Sequence, residues 1–185
     1  MTIIETGIEG LVIVEPRVFH DGRGYFFESF NARDFNAATG DDVTFVQDNQ
    51  AFSRYGVLRG LHFQCPPYAQ AKLVSVVSGR VLDVAVDIRK GSPTYGKYEA
   101  VELSADSHLQ VFIPRGFAHG YLVLSETALF QYKCDSFYAP QSEGGLAWND
   151  PDIGIDWPVS REDILLSPKD TDRGLLKDFD SPFKY

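Results

Sequence analysis

The longest continuous pattern in the chain runs from Phe45 to Phe137, where short apolar stretches alternate with turns and no long amphipathic helix occurs. Aromatic side chains make up 14% of the 185 residues, and Gly and Pro are spread over the whole length, which favours many short strands joined by turns. A chain of this length can bury one substantial core but not two large ones. The sequence therefore predicts an all-β fold with a single domain spanning residues 1–185.

The segments on either side of this region carry weaker signals. Residues 8–14 and 24–30 have the pattern of strands on either side of the turn-rich HDGRG, and the following NARDFNAATG predicts a short helix that ends at Gly40. The tail from about 148 to 185 is rich in Pro, Asp and Trp, so we expect an irregular segment that wraps around the body. One short helix is predicted within it, near Arg161 to Ile164. Helices should therefore be few, short and peripheral.

Ionisable side chains occur where the alternation of the strands predicts core residues. The stretch KLVSVVSGRVLDVAVDIR is predicted to form a hairpin about Ser78-Gly79, and its first strand places Lys72 on the same apolar face as Val74. Tyr132 in ALFQYKC and His62 in RGLHFQ are placed in the same way. Because such groups are costly to bury without partners, an apolar, barrel-like interior that holds them is a candidate site.

The charge balance limits the class of ligand. A formal net charge of −9 argues against a nucleic-acid partner, because neutralising a phosphate backbone requires a basic face or stripe. A small anionic ligand remains compatible with this charge. Exposed charges are screened beyond about 8 Å at physiological salt, so a few cations lining a pocket can outweigh a distant acidic surface.

The sequence also predicts the compartment. No stretch approaches the roughly 20 apolar residues that cross a bilayer, and the start MTIIETGIEG lacks the basic and apolar regions of an export signal. We therefore expect a cytoplasmic protein without a membrane partner. In that compartment Cys65 and Cys134 should be free thiols that serve in packing, because neither has the spacing of a ligand pair.

The segment IPRGFAHGY, residues 113–121, contains the PxGxxH pattern. It is typical of the second half of the cupin signature, in which a turn delivers a histidine into a small β-barrel. The first half of that signature usually carries HxH, whereas RGLHFQ offers His62 followed by Gln64. A transition metal needs three or four N or O ligands, and His62 and His119 alone do not supply them. We therefore expect no metal.

Read together, the motifs resemble one family closely. They occur in the order RGLHFQCPPYAQAKLVSVVSGRVLDVAVDIRKGSPTYG, IPRGFAHGY, YKCDSFYAP, WNDPDIGIDWP and LSPKD, between about Gly10 and Asp170. This set is similar to the dTDP-4-dehydrorhamnose 3,5-epimerases. The resemblance implies a cupin-like jelly-roll β-barrel that forms a homodimer and works without a metal or redox cofactor. It also implies inversion of C3 and C5 of dTDP-4-keto-6-deoxy-D-glucose to give dTDP-4-keto-L-rhamnose.

That reaction requires a base, a stabiliser for the enolate oxygen and an acid on the opposite face. The resemblance implies that His62 is the base, that Lys72 is the cation beside the carbonyl oxygen, and that Tyr132 is the acid. An imidazole titrates near neutrality and so suits the first of these roles. The carboxylate that orients His62 is expected to be Asp170 of the SPKD motif, although Asp83 also lies on a predicted barrel strand.

Further residues match positions that would hold the substrate. They comprise cations for the phosphates, hydrogen-bonding side chains for the base and sugars, aromatic side chains that would enclose the thymine, and a second histidine near the hexose. In the order of these roles, they are Arg23, Arg59 and Lys169; Gln47, Asn49, Glu28 and Glu143; Phe19 and Tyr138; and His119. These assignments depend on the resemblance, because each side chain taken alone is more often a solvated or structural one.

Two other functions remain open from the sequence. A relative that epimerises only C3 or only C5 of a similar dTDP-4-keto-6-deoxyhexose can share the same three catalytic groups. A non-catalytic cupin that binds a sugar nucleotide would leave no solvent deuterium in its ligand.

Overall fold

A computed structural model describes residues 1–40 and 42–185. In chain order the strands are β1 (Thr2–Glu5), β2 (Val12–Glu15), β3 (Phe19–Asp21), β4 (Gly24–Phe26), β5 (Gln47–Arg54), β6 (Leu58–Gln64), β7 (Lys72–Ser78), β8 (Arg80–Asp87), β9 (Tyr98–Ser104), β10 (Gln110–Ile113), β11 (Phe117–Val123), β12 (Thr127–Cys134) and β13 (Glu143–Gly145). The helices are α1 (Ala32–Thr39) and α2 (Pro168–Thr171), with short 3-10 turns at Pro140–Ser142, Arg161–Asp163 and Leu176–Asp178.

The strands form two antiparallel sheets that pack face to face. One has six strands in the order β1-β2-β10-β7-β12-β5, and the other has five in the order β13-β6-β11-β8-β9. Strands β3 and β4 form a separate two-stranded hairpin. Strands that follow each other along the chain therefore often belong to different sheets. This arrangement is a cupin-like jelly roll, which confirms the predicted fold class.

Apolar side chains fill three layers around these sheets. The central layer lies between the sheets and includes Val74, Phe130 and Tyr121. A second layer covers the outer face of the five-stranded sheet, where the C-terminal segment contributes Phe183. A third lies between α1 and the six-stranded sheet, with Phe35 fully buried. The central strands β6, β7, β8, β10 and β11 consequently bury side chains on both faces.

The predicted hairpin about Ser78-Gly79 is wrong. Strand β7 pairs with β10 and β12 in the six-stranded sheet, whereas β8 pairs with β9 and β11 in the other. Gly79 does form a tight turn, with φ of +81°, and a Cβ there would lie 2.1 Å from the carbonyl oxygen of Thr127. The turn carries the chain from one sheet to the other instead of reversing it within one sheet.

The first two strand predictions are too long. Residues 8–11 form a turn closed by the hydrogen bond from the Leu11 N–H to the Ile8 carbonyl, at 3.1 Å, so that β2 begins only at Val12. The predicted strand at 24–30 ends at Phe26. Positive φ at Gly10, +84°, explains the first difference, since a residue in that conformation interrupts an extended strand.

The predicted helix in NARDFNAATG is confirmed as α1. The Asn31 side chain accepts a hydrogen bond from the Asp34 N–H at 3.3 Å and caps the first turn, and Gly40 ends the helix with φ of +76°. The short helix predicted near Arg161 is a 3-10 turn at Arg161–Asp163. Among the described residues, no helix has the length and apolar character needed to cross a membrane.

Two glycines bring β6 and β11 close together in the five-stranded sheet. A Cβ on Gly60 would lie 2.5 Å from the Cα of Gly120, and a Cβ on Gly120 would lie 2.8 Å from the carbonyl oxygen of Arg59. The ladder register shifts at this point, between His119 and Tyr121. His119 remains directly opposite His62. Both predicted histidines are thereby placed side by side.

Candidate active site

A cavity of about 440 Å³ lies between the two sheets and adjoins a second cavity of about 360 Å³. Four side chains line both of them: His62, Lys72, Tyr132 and Glu143. Asp170, Arg59, His119 and Lys169 line the larger cavity, and Gln47, Asn49 and Tyr138 line the smaller one. The ionisable groups that occupy core positions in the sequence therefore face one continuous space.

His62 and Asp170 form a hydrogen-bonded pair at the wall of the larger cavity. The Nε2 atom of His62, on β6, contacts Oδ1 of Asp170, which lies in α2 of the C-terminal segment. The hydroxyl of Ser167 donates to the other carboxylate oxygen at 2.8 Å. Burial of Asp170 opposes its ionisation, but the hydrogen bonds with His62 and Ser167 outweigh this effect and hold the pKa of the carboxyl below 3.8.

The alternative partner, Asp83, is occupied elsewhere. Its Oδ2 atom lies 2.8 Å from Nε2 of His119, and both side chains are almost fully buried. Burial lowers the pKa of His119, and the charge of Asp83 only partly offsets this effect. Each of the two neighbouring histidines thus has its own carboxylate. Of the two candidates that the sequence left open, Asp170 is the one that contacts His62.

Lys72 and Tyr132 enter the cavity from the opposite sheet. Lys72 is the first residue of β7, and Tyr132 lies on the adjacent strand β12, paired with Val74. Burial lowers the pKa of the Lys72 ammonium and raises the pKa of the Tyr132 phenol to about 12. The phenol is therefore protonated at neutral pH and can donate a proton. The alternation along β7 correctly placed Lys72 on the face of Val74.

Three side chains contact the carboxylate of Glu143. Its carboxylate accepts hydrogen bonds from the Tyr138 hydroxyl and from Nη2 of Arg173, both at 2.8 Å, and lies 3.6 Å from Nζ of Lys169. Burial opposes the charge on Glu143, but these partners, Arg173 first, hold its pKa below the ordinary value. Arg173 was not predicted from the sequence. The only signal for it is a cation that follows the SPKD motif by three residues.

Polar side chains of β5 and the loop before β13 surround the smaller cavity. Gln47 donates from Nε2 to Oδ1 of Asn49 at 3.0 Å and accepts from the backbone N–H of Tyr138 at 2.9 Å. In the larger cavity, Nε of Arg59 donates to the Ser53 hydroxyl at 3.2 Å. The outer NH2 groups of this guanidinium are the ones suited to bind an anion in a bidentate manner.

Three of the predicted substrate-binding residues do not line either cavity. Phe19 and Arg23 belong to the exposed β3–β4 hairpin, and the guanidinium of Arg23 is paired with Asp21 at 2.6 Å. Glu28 follows the hairpin and accepts a hydrogen bond from Asn31 at 3.4 Å. Within one chain, these side chains are held apart from the other predicted site residues.

Within residues 1–40 and 42–185, no three His, Cys, Asp or Glu side chains are grouped closely enough to hold a metal ion. Cys65 and Cys134 are both free, as predicted. The pKa of the buried Cys134 thiol is raised to about 11, mainly by burial, so that it is a neutral packing group at the end of β12.

Two sequence comparisons match this chain to one family. A family model described as dTDP-4-dehydrorhamnose 3,5-epimerase matches residues 5–178. The dTDP-4-dehydrorhamnose 3,5-epimerase of Shigella flexneri is 55% identical over 92% of this chain and 93% of its own length.

Two solved structures are similar to this chain in their three-dimensional fold as well as in sequence. A dTDP-6-deoxy-D-glucose-3,5-epimerase from Legionella pneumophila, in complex with dTDP-4-keto-L-rhamnose, has a TM-score of 0.95 at 48% identity and covers 100% of this chain and 98% of that one. A 3'-monoepimerase from Streptomyces bikiniensis, in complex with dTDP-quinovose, has a TM-score of 0.88 at 39% identity and covers 96% of this chain and 88% of that one. The chain belongs to the dTDP-4-dehydrorhamnose 3,5-epimerase family.

Proposed function

We propose that this protein is an epimerase that inverts C3 and C5 of dTDP-4-keto-6-deoxy-D-glucose and gives dTDP-4-keto-L-rhamnose. The observation that carries this function is that His62, Lys72 and Tyr132 line one cavity from two facing sheets. A ketone at C4 makes the protons on C3 and C5 removable, because the carbanion that forms is delocalised as an enolate. The three groups supply the base, the electrostatic stabiliser and the acid of such a reaction.

His62 is the proposed base. Its Nε2–H donates to Asp170, which leaves the lone pair of Nδ1 free to take the proton from carbon. The carboxylate then stabilises the imidazolium, as it does in other histidine–aspartate pairs. Asp170 can do this at neutral pH because its pKa lies below 3.8.

The proposed stabiliser and acid act from the other sheet. The Lys72 ammonium would face the carbonyl oxygen and offset the negative charge that develops on it. Tyr132 would return a proton to carbon. Because His62 lies on the five-stranded sheet and Tyr132 on the six-stranded sheet, a hexose bound between them has the base on one face and the acid on the other. Removal from one face and delivery to the opposite face invert the carbon, and the two side chains then exchange their protons with solvent.

The thymidine is proposed to occupy the smaller cavity and its rim, and the phosphates are proposed to extend into the larger cavity. Gln47, Asn49 and Tyr138 would contact the thymidine, with Arg59 and Lys169 binding the phosphates. His119 and Glu143 would contact the hexose.

We also propose that residues 1–185 form one domain that assembles as a homodimer. Phe19, Arg23 and Glu28 do not line the cavity of their own chain, so their expected role in substrate binding requires the exposed hairpin of a second copy.

A monofunctional epimerase is the second candidate. The similarity to the 3'-monoepimerase from Streptomyces bikiniensis is the reason to consider it, because a protein described as inverting one position shares this fold with a TM-score of 0.88. The two candidates share base, stabiliser and acid, and differ in which carbons exchange their protons.

Incubation of the protein with dTDP-4-keto-6-deoxy-D-glucose in D₂O, followed by NMR, distinguishes these functions. We expect deuterium at both C3 and C5. Deuterium at one carbon alone would establish the monofunctional epimerase. A substrate that binds without deuterium at either carbon would exclude both enzymes and indicate a non-catalytic binding protein.

A further inference from the structure

Arg173 lies next to the proposed active site without lining either cavity. Its Nη2 atom donates to Oε1 of Glu143 at 2.8 Å, and the two side chains are only 17% and 20% exposed. A charged pair this well shielded from water holds its geometry more firmly than a pair on the surface. Glu143 in turn lines both cavities. Arg173 is therefore one contact away from the space that would hold the substrate.

The side chain of Arg173 lies against the strand that flanks His62. In the ladder between β13 and β6, Gly145 is directly opposite His62. A Cβ on Gly145 would lie 2.9 Å from Nε and 3.0 Å from Cδ of Arg173. The side chain of Arg173 therefore occupies the space that a larger side chain at position 145 would fill. Arg173 packs on β13 at the level of the proposed base.

The backbone on the C-terminal side of Arg173 is fixed to the residues that directly follow β13. Gly174 forms a bridge with Leu146, and its carbonyl accepts a hydrogen bond from the Ala147 N–H at 2.9 Å. Three residues before Arg173, Asp170 contacts His62. The segment that carries Asp170 is thus anchored immediately after Arg173. On the other side of Asp170 it is held by the Lys169–Glu143 pair at 3.6 Å and by the bridge between Leu165 and Val57.

We infer that Arg173 is a positioning residue, which fixes Glu143 at the junction of the two cavities and holds the segment that presents Asp170 to His62. It touches neither substrate nor reacting atoms, and it acts through these two carboxylates. Because it would serve the epimerase reaction, its role in catalysis rests on the proposed function. The Nε atom of Arg173 has no hydrogen-bond partner among the described residues. The guanidinium is thus held by packing and by its hydrogen bond to Glu143.

The test compares two variants of Arg173. Arg173→Met keeps most of the aliphatic side chain and removes the charge, whereas Arg173→Lys keeps the charge and removes the planar guanidinium. We expect kcat for C3 and C5 exchange to fall by about 10- to 100-fold in Arg173→Met, since small misplacements of catalytic groups have effects of this size. Arg173→Lys should lose less. The affinity for dTDP should change by less than about 3-fold, because Tyr138 and Lys169 keep their own contacts with Glu143.

Two further measurements separate positioning from general damage to the fold. In the double variant Arg173→Met/Asp170→Asn, the loss of kcat should be clearly smaller than the product of the two single losses, because both changes disturb the His62–Asp170 pair. Guanidinium ion added to Arg173→Ala should restore part of the activity. As a matched control, Arg115→Met removes a partly exposed pair between the loop before β11 and Asp135, and its kcat should equal that of the wild type.

Wild-type kcat in Arg173→Met, or fully additive losses in the double variant, would overturn the inference. One readout does not depend on turnover: NMR of the His62 ring nitrogens should show one tautomer, with the proton on Nε2, in the wild type and a mixture in Arg173→Met. If the wild type shows no exchange but the tautomers differ in this way, the proposed function fails while the positioning role stands. An unchanged tautomer in Arg173→Met contradicts the positioning role itself.

Discussion

The Nε2 atom of His62 is hydrogen-bonded to Oδ1 of Asp170, a residue 108 positions further along the chain. Beside it, His119 is bonded to Asp83 at 2.8 Å. The two pairs differ in their surroundings, because the side chain of His62 is 34% exposed toward the cavity and that of His119 only 8%. A histidine that is open toward the cavity can take a proton from a ligand, whereas one that is almost enclosed can contact the ligand but is poorly placed to act as its base.

This difference predicts unequal effects for two matched substitutions. Asp170→Asn should lower kcat for exchange by about 10²-fold or more, because the amide neither fixes the tautomer of His62 nor stabilises the imidazolium. Asp83→Asn should have a much smaller effect on kcat. Steady-state rates of deuterium incorporation would measure both, with Ser167→Ala as the mild control at the second oxygen of Asp170. Equal losses in the two Asn variants would show that the pairing with Asp170 has no special role.

Lys72→Met should fold like the wild type and lose most of its exchange activity. Removing one positioned stabiliser of an enolate oxygen lowers kcat by about 10²- to 10³-fold, and burying a methionine instead of an ammonium carries no desolvation cost. The temperature of unfolding should therefore be at least that of the wild type. Lys133→Met is the control, since its ammonium lies outside the cavity and pairs with Asp48 at 2.9 Å. A loss of stability in Lys72→Met without a loss of kcat would contradict this role.

The pH profile distinguishes Lys72 from Tyr132. Burial lowers the pKa of Lys72 from 10.5 and raises that of Tyr132 to about 12. As the pH rises, the ammonium is lost first, and kcat/KM should decline with a midpoint below 10.5 while the phenol is still protonated. Lys72→Arg should remove this alkaline decline from its residual activity, because a guanidinium stays charged. The decline should persist in the residual activity of Tyr132→Phe, and its disappearance there would assign it to the phenol.

Away from the cavity, Asp87 should dominate the acid stability of the fold. Its fully buried carboxylate pairs with Arg89 at 2.8 Å and accepts hydrogen bonds from Ser92 and Thr94 at 2.6 and 2.7 Å. Burial opposes its charge, yet these partners, Arg89 first, hold the folded-state pKa below 3.8. The group thus binds its proton more weakly in the folded than in the unfolded chain. Its stabilisation is complete above about pH 5 and is lost as the pH falls through 3.8 and below.

Urea unfolding checks this expectation. Asp87→Asn should lower the free energy of unfolding by about 2 to 4 kcal/mol at pH 7, because it breaks a buried charged network. The difference from the wild type should shrink as the pH is lowered below 3.8. Glu102→Gln, which removes a partly exposed partner of Arg80, should change little. A difference that stays constant down to pH 2 would exclude Asp87 as the source of the acid sensitivity.

Local patterns in the sequence were sufficient for features that depend on neighbouring residues. The helix α1 follows from Asn31 and Gly40 at its ends, and the interior position of Lys72 follows from alternation with Val74. Pairing between strands is a non-local property. Strand β8 buries nearly all of its residues on both faces, so its sequence does not indicate which sheet it joins. The local pattern therefore predicts a hairpin at Gly79, where the structure has a crossing between sheets.

The candidate site likewise combines residues that local patterns predict with contacts that depend on distant parts of the chain. His62, Lys72 and Tyr132 stood out because ionisable groups occupied core positions. The partner of His62 could not be chosen from spacing, since both carboxylates were plausible and the chain must fold back to bring Asp170 to β6. Arg173 has no sequence pattern of its own, and its contact with Glu143 appears only when β13 and the C-terminal segment are packed together.

The exchange reaction of His62→Ala tests the central claim most directly, because one imidazole is proposed to remove the protons of a hexose bound between the sheets. Wild-type protein and His62→Ala should be incubated with dTDP-4-keto-6-deoxy-D-glucose in D₂O, and dTDP binding should be measured in parallel. We predict that deuterium incorporation falls by about 10³-fold at both C3 and C5 while dTDP affinity stays close to that of the wild type. Near wild-type incorporation at either carbon would show that another group is the base there.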